Sequence, residues 1–407
     1  MTRFTSFAVC LFSALALIVA GGYSLGAALL LLGSTFLLWQ RPRLGLNHED
    51  HLLIAVFLAY FVVYAANAAF HADHLREYDA PLRFLLAIPV LLLLLAHPPR
   101  ASALWGGLAI GAIGAGVFVS WQSLMLGVER PGGTTNPIQF GNISMLMGIL
   151  CLCGLVWARA QAHRAAWTGF MLLGGLFGIL GSQLSASRGG WIALPVCVCV
   201  LAIHAARVHG KRYLYGGLLA LAALVTVSYE IPHSPLKTRT EMAVREVQSF
   251  TDTGNIDTSS GLRIEMWRSA IAMFPQHPWL GWGQQGYMDY KVVLIREGKV
   301  IPRIGAYTNA HNEYVDALVK HGIIGLLAQL ALYLVPLALF ARQLRDPRGA
   351  VHPFALAGVS LYTCYFIFGL TTTFLTLNIG VMMLAFLTVI LWAALRQQQR
   401  AAAPDSR

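Results

Sequence analysis

The stretch IQFGNISMLMGILCLCGLVWA, residues 138–158, decides the fold. It carries no charged side chain, and its apolar residues run on without the alternation of a half-buried strand. Roughly 20 mostly apolar residues suffice for a helix to cross the hydrocarbon of a bilayer. Working outward, comparable stretches lie near 4–20, 23–39, 52–70, 82–96, 102–121, 166–184, 190–206, 213–229, 322–341, 352–371 and 376–395. The one at 82–96 is short and contains Pro89. Composition agrees: hydrophobic residues make up 57% of the 407, charged residues 12%, and mean hydropathy is +0.62. A soluble chain of this length needs far more polar surface. The expectation is an all-α polytopic membrane protein of about 12 transmembrane helices.

The net charge of +11 sits in short clusters between apolar runs, not in a basic stripe interleaved with aromatics, which argues against a nucleic-acid partner. Such clusters set orientation. With the N-terminus inside, fifteen arginines and lysines fall on the cytoplasmic side: Arg3, Arg41, Arg43, Arg100, Arg159, Arg164, Arg207, Lys211, Arg212, Arg342, Arg345, Arg348, Arg396, Arg400 and Arg407. The short loops opposite hold four, Arg76, Arg83, Arg130 and Arg188. Both termini are therefore expected in the cytoplasm. The chain divides into nine helices over 1–229, one large periplasmic loop over 230–321, and three helices with a short cytoplasmic tail over 322–407. The loop has amphipathic stretches near 236–250 and 262–274 and too few large apolar residues for its own core, so it should lie on the membrane domain. The six cysteines all fall inside apolar runs and read as small hydrophobes. The N-terminal run continues past Gly21-Gly22 to Trp39, which favours an uncleaved helical hairpin over a signal peptide.

The missing motifs narrow the chemistry. There is no Walker A loop and no GxGxxG followed by an acid, so nucleotide binding is unsupported. No Asp-x-Asp pair stands near an outer membrane face, and no span carries a central Asp or Glu for a coupled transporter. His71-Ala72-Asp73-His74 reads as interfacial loop, not as a metal site. The remaining candidates are outward-facing. Arg188 sits in Ser185-Ala186-Ser187-Arg188-Gly189-Gly190-Trp191, where small neighbours leave room for an anion at its planar fork. Its bland alternative is an interfacial snorkelling arginine. Arg263 opens a loop helix after Ser259-Ser260-Gly261, where the positive helix end adds to its charge; Arg268 reads as solvated. Asn309-Ala310-His311-Asn312-Glu313-Tyr314 precedes Gly322-Ile323-Ile324-Gly325 at the mouth of the tenth span. His311 is placed there to act as a general base. His321, ten residues on, falls on a different side of that helix.

His311-Asn312 followed by Gly322-x-x-Gly325 resembles the signature of the O-antigen ligase and polymerase superfamily. The Arg188 and Arg263 motifs and Phe274-Pro275-x-His277-Pro278-Trp279-Leu280-Gly281-Trp282-Gly283 recur there in the same order. Leu326 departs from the family, which more often has Gly, Thr or Tyr. The resemblance implies a fold similar to the C-type glycosyltransferases and an O-antigen ligase. Such an enzyme transfers a glycan from undecaprenyl pyrophosphate to lipid A–core oligosaccharide at the periplasmic face of the inner membrane, inverting, with no metal and no cofactor. It also implies that Arg188 and Arg263 hold the pyrophosphate, that His311 is the base, and that Asn312 and Tyr314 join the substrate site. Partners are then the lipid-linked donor, the lipid A–core acceptor and membrane lipids. Alternatives are a repeat-unit polymerase, a protein O-oligosaccharyltransferase, which the short tail disfavours, and a lipid flippase or exporter.

Overall fold

A computed structural model describes residues 1–42, 44–230, 235–253 and 258–401. Among these residues the chain is helical with no strand: α1 (Thr2–Ala14), α2 (Gly22–Ser34) and its continuation α3 (Phe36–Gln40), α4 (His48–Phe70), α5 (Asp79–Ala96), α6 (Ala101–Leu126), α7 (Pro137–Ala158), α8 (Arg164–Leu184), α9 (Arg188–His209), α10 (Arg212–Glu230), α11 (Pro235–Thr253), α12 (Ser259–Met273), α13 (Gly283–Arg296), α14 (Glu313–Gln343), α15 (His352–Thr371) and α16 (Asn378–Ala401). Among the described residues, eleven stretches are long and apolar enough to cross a membrane: α2 with α3, α4 to α10, and α14 to α16. The protein is an all-α polytopic membrane protein.

The expected first span, 4–20, takes a different form. Only Thr2–Ala14 is α-helical, and the chain then turns to Gly21. Thirteen residues give about 20 Å of helix, short of the ~30 Å hydrocarbon layer. The segment nonetheless runs the depth of the bundle. Thr5 Oγ1 donates to the His97 carbonyl at 2.9 Å and Ser6 Oγ accepts from Arg100 N at 2.9 Å, at one end. The Leu17 carbonyl lies against Gly133 at the other.

Ion pairs and caps mark the two ends. At one, Arg396 pairs with buried Asp50 at 3.1 Å, Arg348 reaches the Gln399 carbonyl, and Arg400 donates to Leu95 and Leu44. Asp50 also completes the capping box with Asn47 that starts α4. Two arginines assigned to this side, Arg43 and Arg407, lie outside the described residues. The core between the ends is built on α7, α15 and α16, whose side chains are almost all buried. A fully buried spanning helix is apolar all round.

Between α10 and α14 the chain folds onto the opposite end, with two small apolar clusters apart from the main core. Leu262 and Met266 of α12 pack on Ile304, while Ala270 and Met273 join Tyr287 and Leu294 of α13 and Val319 of α14. The segment 277–282 crosses α14 at a kink. There Trp282 N donates to Val319, and Ile323 N donates to the Pro278 carbonyl at 2.8 Å. Gly322 takes φ 64°, and a Cβ on it would overlap the Trp279 carbonyl; Gly281, φ 70°, sits equally close to Lys320. Only glycine meets both the positive φ and the backbone contact. The family-like glycines are thus a crossing point. The expected boundary between loop and tenth span falls on this kink, inside a helix that begins at Glu313.

Candidate active site

Arg188, Arg263 and His311 come from α9, α12 and the segment before α14, and the fold brings them together. Arg188 is the first residue of α9. The turn before it is pinned to α7 through Ser187 Oγ, which donates to Asn142 Oδ1 at 2.6 Å, and Ala186 takes a positive φ of 53°. Arg263 lies near the start of α12, whose N-cap is Thr258. Cations at helix N-termini oppose the helix dipole, so both positions gain from an anion. Burial presses the Arg263 guanidinium below its usual range, and the nearby Arg188 adds to the effect, with a smaller push from Arg130. Glu246 of α11 works against this. Its Oε2 accepts from Ser260 N at 3.2 Å and Ser260 Oγ at 2.6 Å, and lies 3.9 Å from Arg188. A carboxylate thus stands beside the arginines at the N-terminus of α12.

A cavity of about 290 Å³ opens here, lined by Arg263, Arg303, Tyr307 and His311 with Thr258 and Leu262. His311 has φ 50°, a conformation in which histidine is enriched among non-glycine residues but still strained. Its ring meets Tyr307 edge-on at 5.3 Å, and its buried Nδ1 has no hydrogen-bond partner among the described residues. Burial lowers the His311 pKa, Arg263 lowers it further, and Asp316 acts in the opposite direction. The neutral imidazole, which can accept a proton, is therefore favoured at neutral pH.

The segment carrying His311 is held at several backbone atoms by buried or half-buried side chains. Ala310 N donates to Asp316 Oδ1 at 2.8 Å, and the Ala310 carbonyl accepts from Trp267 Nε1 at 2.9 Å. Lys320 Nζ bridges Asp316 Oδ2 at 2.8 Å and the Thr308 carbonyl at 2.9 Å. Lys291 Nζ donates to the Tyr307 carbonyl, and both ammonium groups lie over the Tyr287 ring, at 4.6 and 5.3 Å. Sequence reasoning missed Asp316, Lys291, Lys320, Trp267, Glu246 and Arg303. Lysines on helices ordinarily read as solvated, and nothing local announces that Lys291 and Lys320 are buried.

The other expected site residues face elsewhere. Asn312 Oδ1 caps α14 by accepting from Tyr314 N and Val315 N, and its Nδ2 reaches the Leu370 carbonyl. Tyr314 donates its hydroxyl to the Phe366 carbonyl at 2.7 Å. Arg268 is exposed and pairs with Glu265, while His321 donates from Nδ1 to Asn67 Oδ1 at 2.7 Å. Asp73 caps α13 by accepting from Gln284 N and Gln285 N at 3.0 Å each, and His71 reaches the Leu280 carbonyl. No three His, Cys, Asp or Glu side chains among the described residues gather as metal ligands would.

An uncharacterised protein of Haemophilus influenzae is 26% identical to this chain over 378 residues, which cover 91% of this chain and 93% of that one. The family described as O-antigen ligase matches residues 173–330, the stretch that holds Arg188, Arg263 and His311. By that match, residues 173–330 are similar to the O-antigen ligase family.

Proposed function

We propose that the protein is a glycosyltransferase that moves a glycan from undecaprenyl pyrophosphate onto lipid A–core oligosaccharide at the periplasmic face of the inner membrane. The observation that carries this reading is the convergence of Arg188, Arg263 and His311, from three separate segments, at the end of the bundle opposite Arg396 and Arg400. Arg188 and Arg263 hold the pyrophosphate and stabilise its charge as it departs. The acceptor hydroxyl oxygen bonds to the anomeric carbon while the bond from that carbon to the pyrophosphate oxygen breaks. Its electron pair stays on the pyrophosphate, and the hydroxyl proton passes to the neutral imidazole of His311. One displacement inverts the anomeric centre. Asn312 and Tyr314 serve the site by fixing the helix that follows His311.

The test is donor affinity alongside single-turnover transfer in purified variants. Arg188→Ala and Arg263→Ala each remove a charge-assisted contact worth about 1.5–3 kcal/mol, so donor binding falls roughly tenfold to more than a hundredfold. Lys substitutes poorly for the planar fork at either position. His311→Ala keeps donor affinity and loses about 10²–10⁴ in rate. Transfer by a folded His311→Ala at the wild-type rate refutes the assignment of the base. Turnover persists in excess EDTA; loss on chelation, restored by Mg²⁺ or Mn²⁺, refutes metal independence. A deletion strain accumulates bare lipid A–core; core capped with a single repeat instead reassigns the protein as a polymerase.

A further inference from the structure

A second, larger cavity of about 700 Å³ opens at the same end of the bundle, on the other side of the segment that carries His311. Thr308 and Asn309 line this cavity, whereas Tyr307 and His311 line the arginine-lined one, so a few residues of backbone form the wall between them. Its floor lies within the bundle, at Tyr60, Tyr64 and Gln329. Gln329 stands seven residues past the kink at Gly322, about 10 Å further along the helix.

The charges of the two cavities differ. In the larger one most ionised groups are already committed. Asp316 is paired with Lys320, which also serves Thr308, and the buried Glu313 carboxylate accepts from Phe374 N and Leu375 N. Asp79 pairs with Arg83. Left over are the exposed guanidinium of Arg76 and two groups nearer the interior, Glu77 and Gln329. The half-buried Glu77 carboxylate has no hydrogen bond or ion pair among the described residues, although it lines the cavity. Gln329 is 2% exposed, and its Oε1 accepts from Tyr64, but its buried Nε2 has no partner among the described residues. A buried donor left without a partner costs about 1–3 kcal/mol, so a ligand that supplies an acceptor there is favoured. Around them stand the tilted ring pair Tyr60–Tyr64, 4.3 Å between centroids, and the amides of Gln285, Asn309 and Asn378.

We propose that this cavity binds the sugar of the acceptor, a neutral, hydroxyl-rich ligand, while the arginine-lined cavity takes the anionic end of the donor. The inference rests on the transferase reading above. A pyrophosphate would meet the carboxylates of Glu77, Asp79 and Asp316, which outnumber the lining cations Arg76 and Lys320. A sugar instead offers hydroxyl donors to the Glu77 carboxylate, acceptors to the Gln329 amide and an apolar ring face to the tyrosines. The dividing segment then lies between donor and acceptor, with His311 beside the rim at Asn309.

The experiment uses the full chain in detergent, with Glu77→Gln, Gln329→Met and a cavity-filling Ala80→Phe. Binding of delipidated core oligosaccharide is followed by calorimetry, and transfer from undecaprenyl-pyrophosphate-linked glycan to lipid A–core is assayed in parallel. Losing one hydrogen bond weakens oligosaccharide binding and raises the acceptor KM by about tenfold, while donor affinity stays unchanged. Ala80→Phe does the same by volume, which covers the case in which Gln329→Met misfolds. Absence of oligosaccharide binding to the wild type overturns the proposal. So does an unchanged acceptor KM in folded variants, or a loss of donor affinity in place of acceptor affinity, which would assign the cavity to the donor's glycan. Failure of the transferase reading shows separately, as oligosaccharide binding without transfer.

Discussion

Replacing Lys320 with Met removes a buried charge from beneath the segment that carries His311. The Lys320 and Asp316 side chains are 4% and 7% exposed, with 2.8 Å between Nζ and Oδ2. Without the ammonium, the Asp316 carboxylate keeps one backbone donor, Ala310 N, and the Thr308 carbonyl loses its charged partner. Breaking one side of a buried pair costs about 3–5 kcal/mol, mostly the desolvated charge left behind. That is a large share of a total stability of about 5–15 kcal/mol. The loss falls on the segment that aims His311, and a displacement of about 1 Å at a reacting group can cost on the order of 10² in rate. Lys320→Met should therefore unfold at a lower temperature and transfer more slowly at saturating acceptor, with donor affinity intact because Arg188 and Arg263 are untouched. Adding Asp316→Asn neutralises the stranded charge, so the double variant should recover part of the stability lost in the single one. The assays are thermal unfolding in detergent and single-turnover transfer. A double variant less stable than Lys320→Met by the full cost of Asp316→Asn alone would show that the pair is not coupled and refute the reasoning.

Other expectations follow from single features. The lowered His311 pKa keeps the base deprotonated below the ordinary histidine value, so the acid limb of transfer should fall below about pH 6.5. Asp316→Asn, which removes a carboxylate favouring the imidazolium, should move that limb lower still; a shift upward in the pH–rate profile contradicts the placement. Gly322→Ala forces a side chain into positive φ against the Trp279 carbonyl, so it should cost more than the ~1–2 kcal/mol of the conformation alone, read as lost thermal stability. Lys299→Cys should react with a membrane-impermeant thiol reagent from the periplasm and Arg345→Cys only after permeabilisation; the reverse pattern would remove the site from the face where it must act.

The helices were legible because their signal is additive. Each span needs only enough apolar side chains in a row, and burial of α7 or α16 does not depend on which neighbour covers it. The exception is instructive. Residues 15–20 are as apolar as the helix before them, yet the chain leaves the helix after Ala14 and turns back at Gly21–Gly22, where Gly22 packs directly on the Leu15 carbonyl. Hydropathy reports transfer into lipid and is silent on where backbone hydrogen bonds stop. A close backbone approach between two chain segments decides that, and a sum of side-chain hydropathies does not register it.

The site divides along the same line. Arg188, Arg263 and His311 stand out in sequence by their surroundings: an arginine in a small-residue turn, an arginine at the start of a loop helix, and a histidine at a membrane mouth. What holds them could not be found this way. Lys291, Lys320 and Asp316 are ordinary helix residues in sequence, and only the fold turns them toward the carbonyls of 307–308 and the Ala310 amide. Asn312 and Tyr314 show the converse. They flank His311 and so invite a substrate role, but their polar atoms are already committed to backbone groups of α14 and α15. Adjacency in sequence marks which segment matters; the direction of each side chain is set by partners up to hundreds of residues away. The strained φ of His311 is where the two meet. A residue whose preceding peptide units are held through Ala310 N, Ala310 O and His311 N has little freedom to swing away from the cavity, and the proposed base gains from being fixed before either substrate arrives.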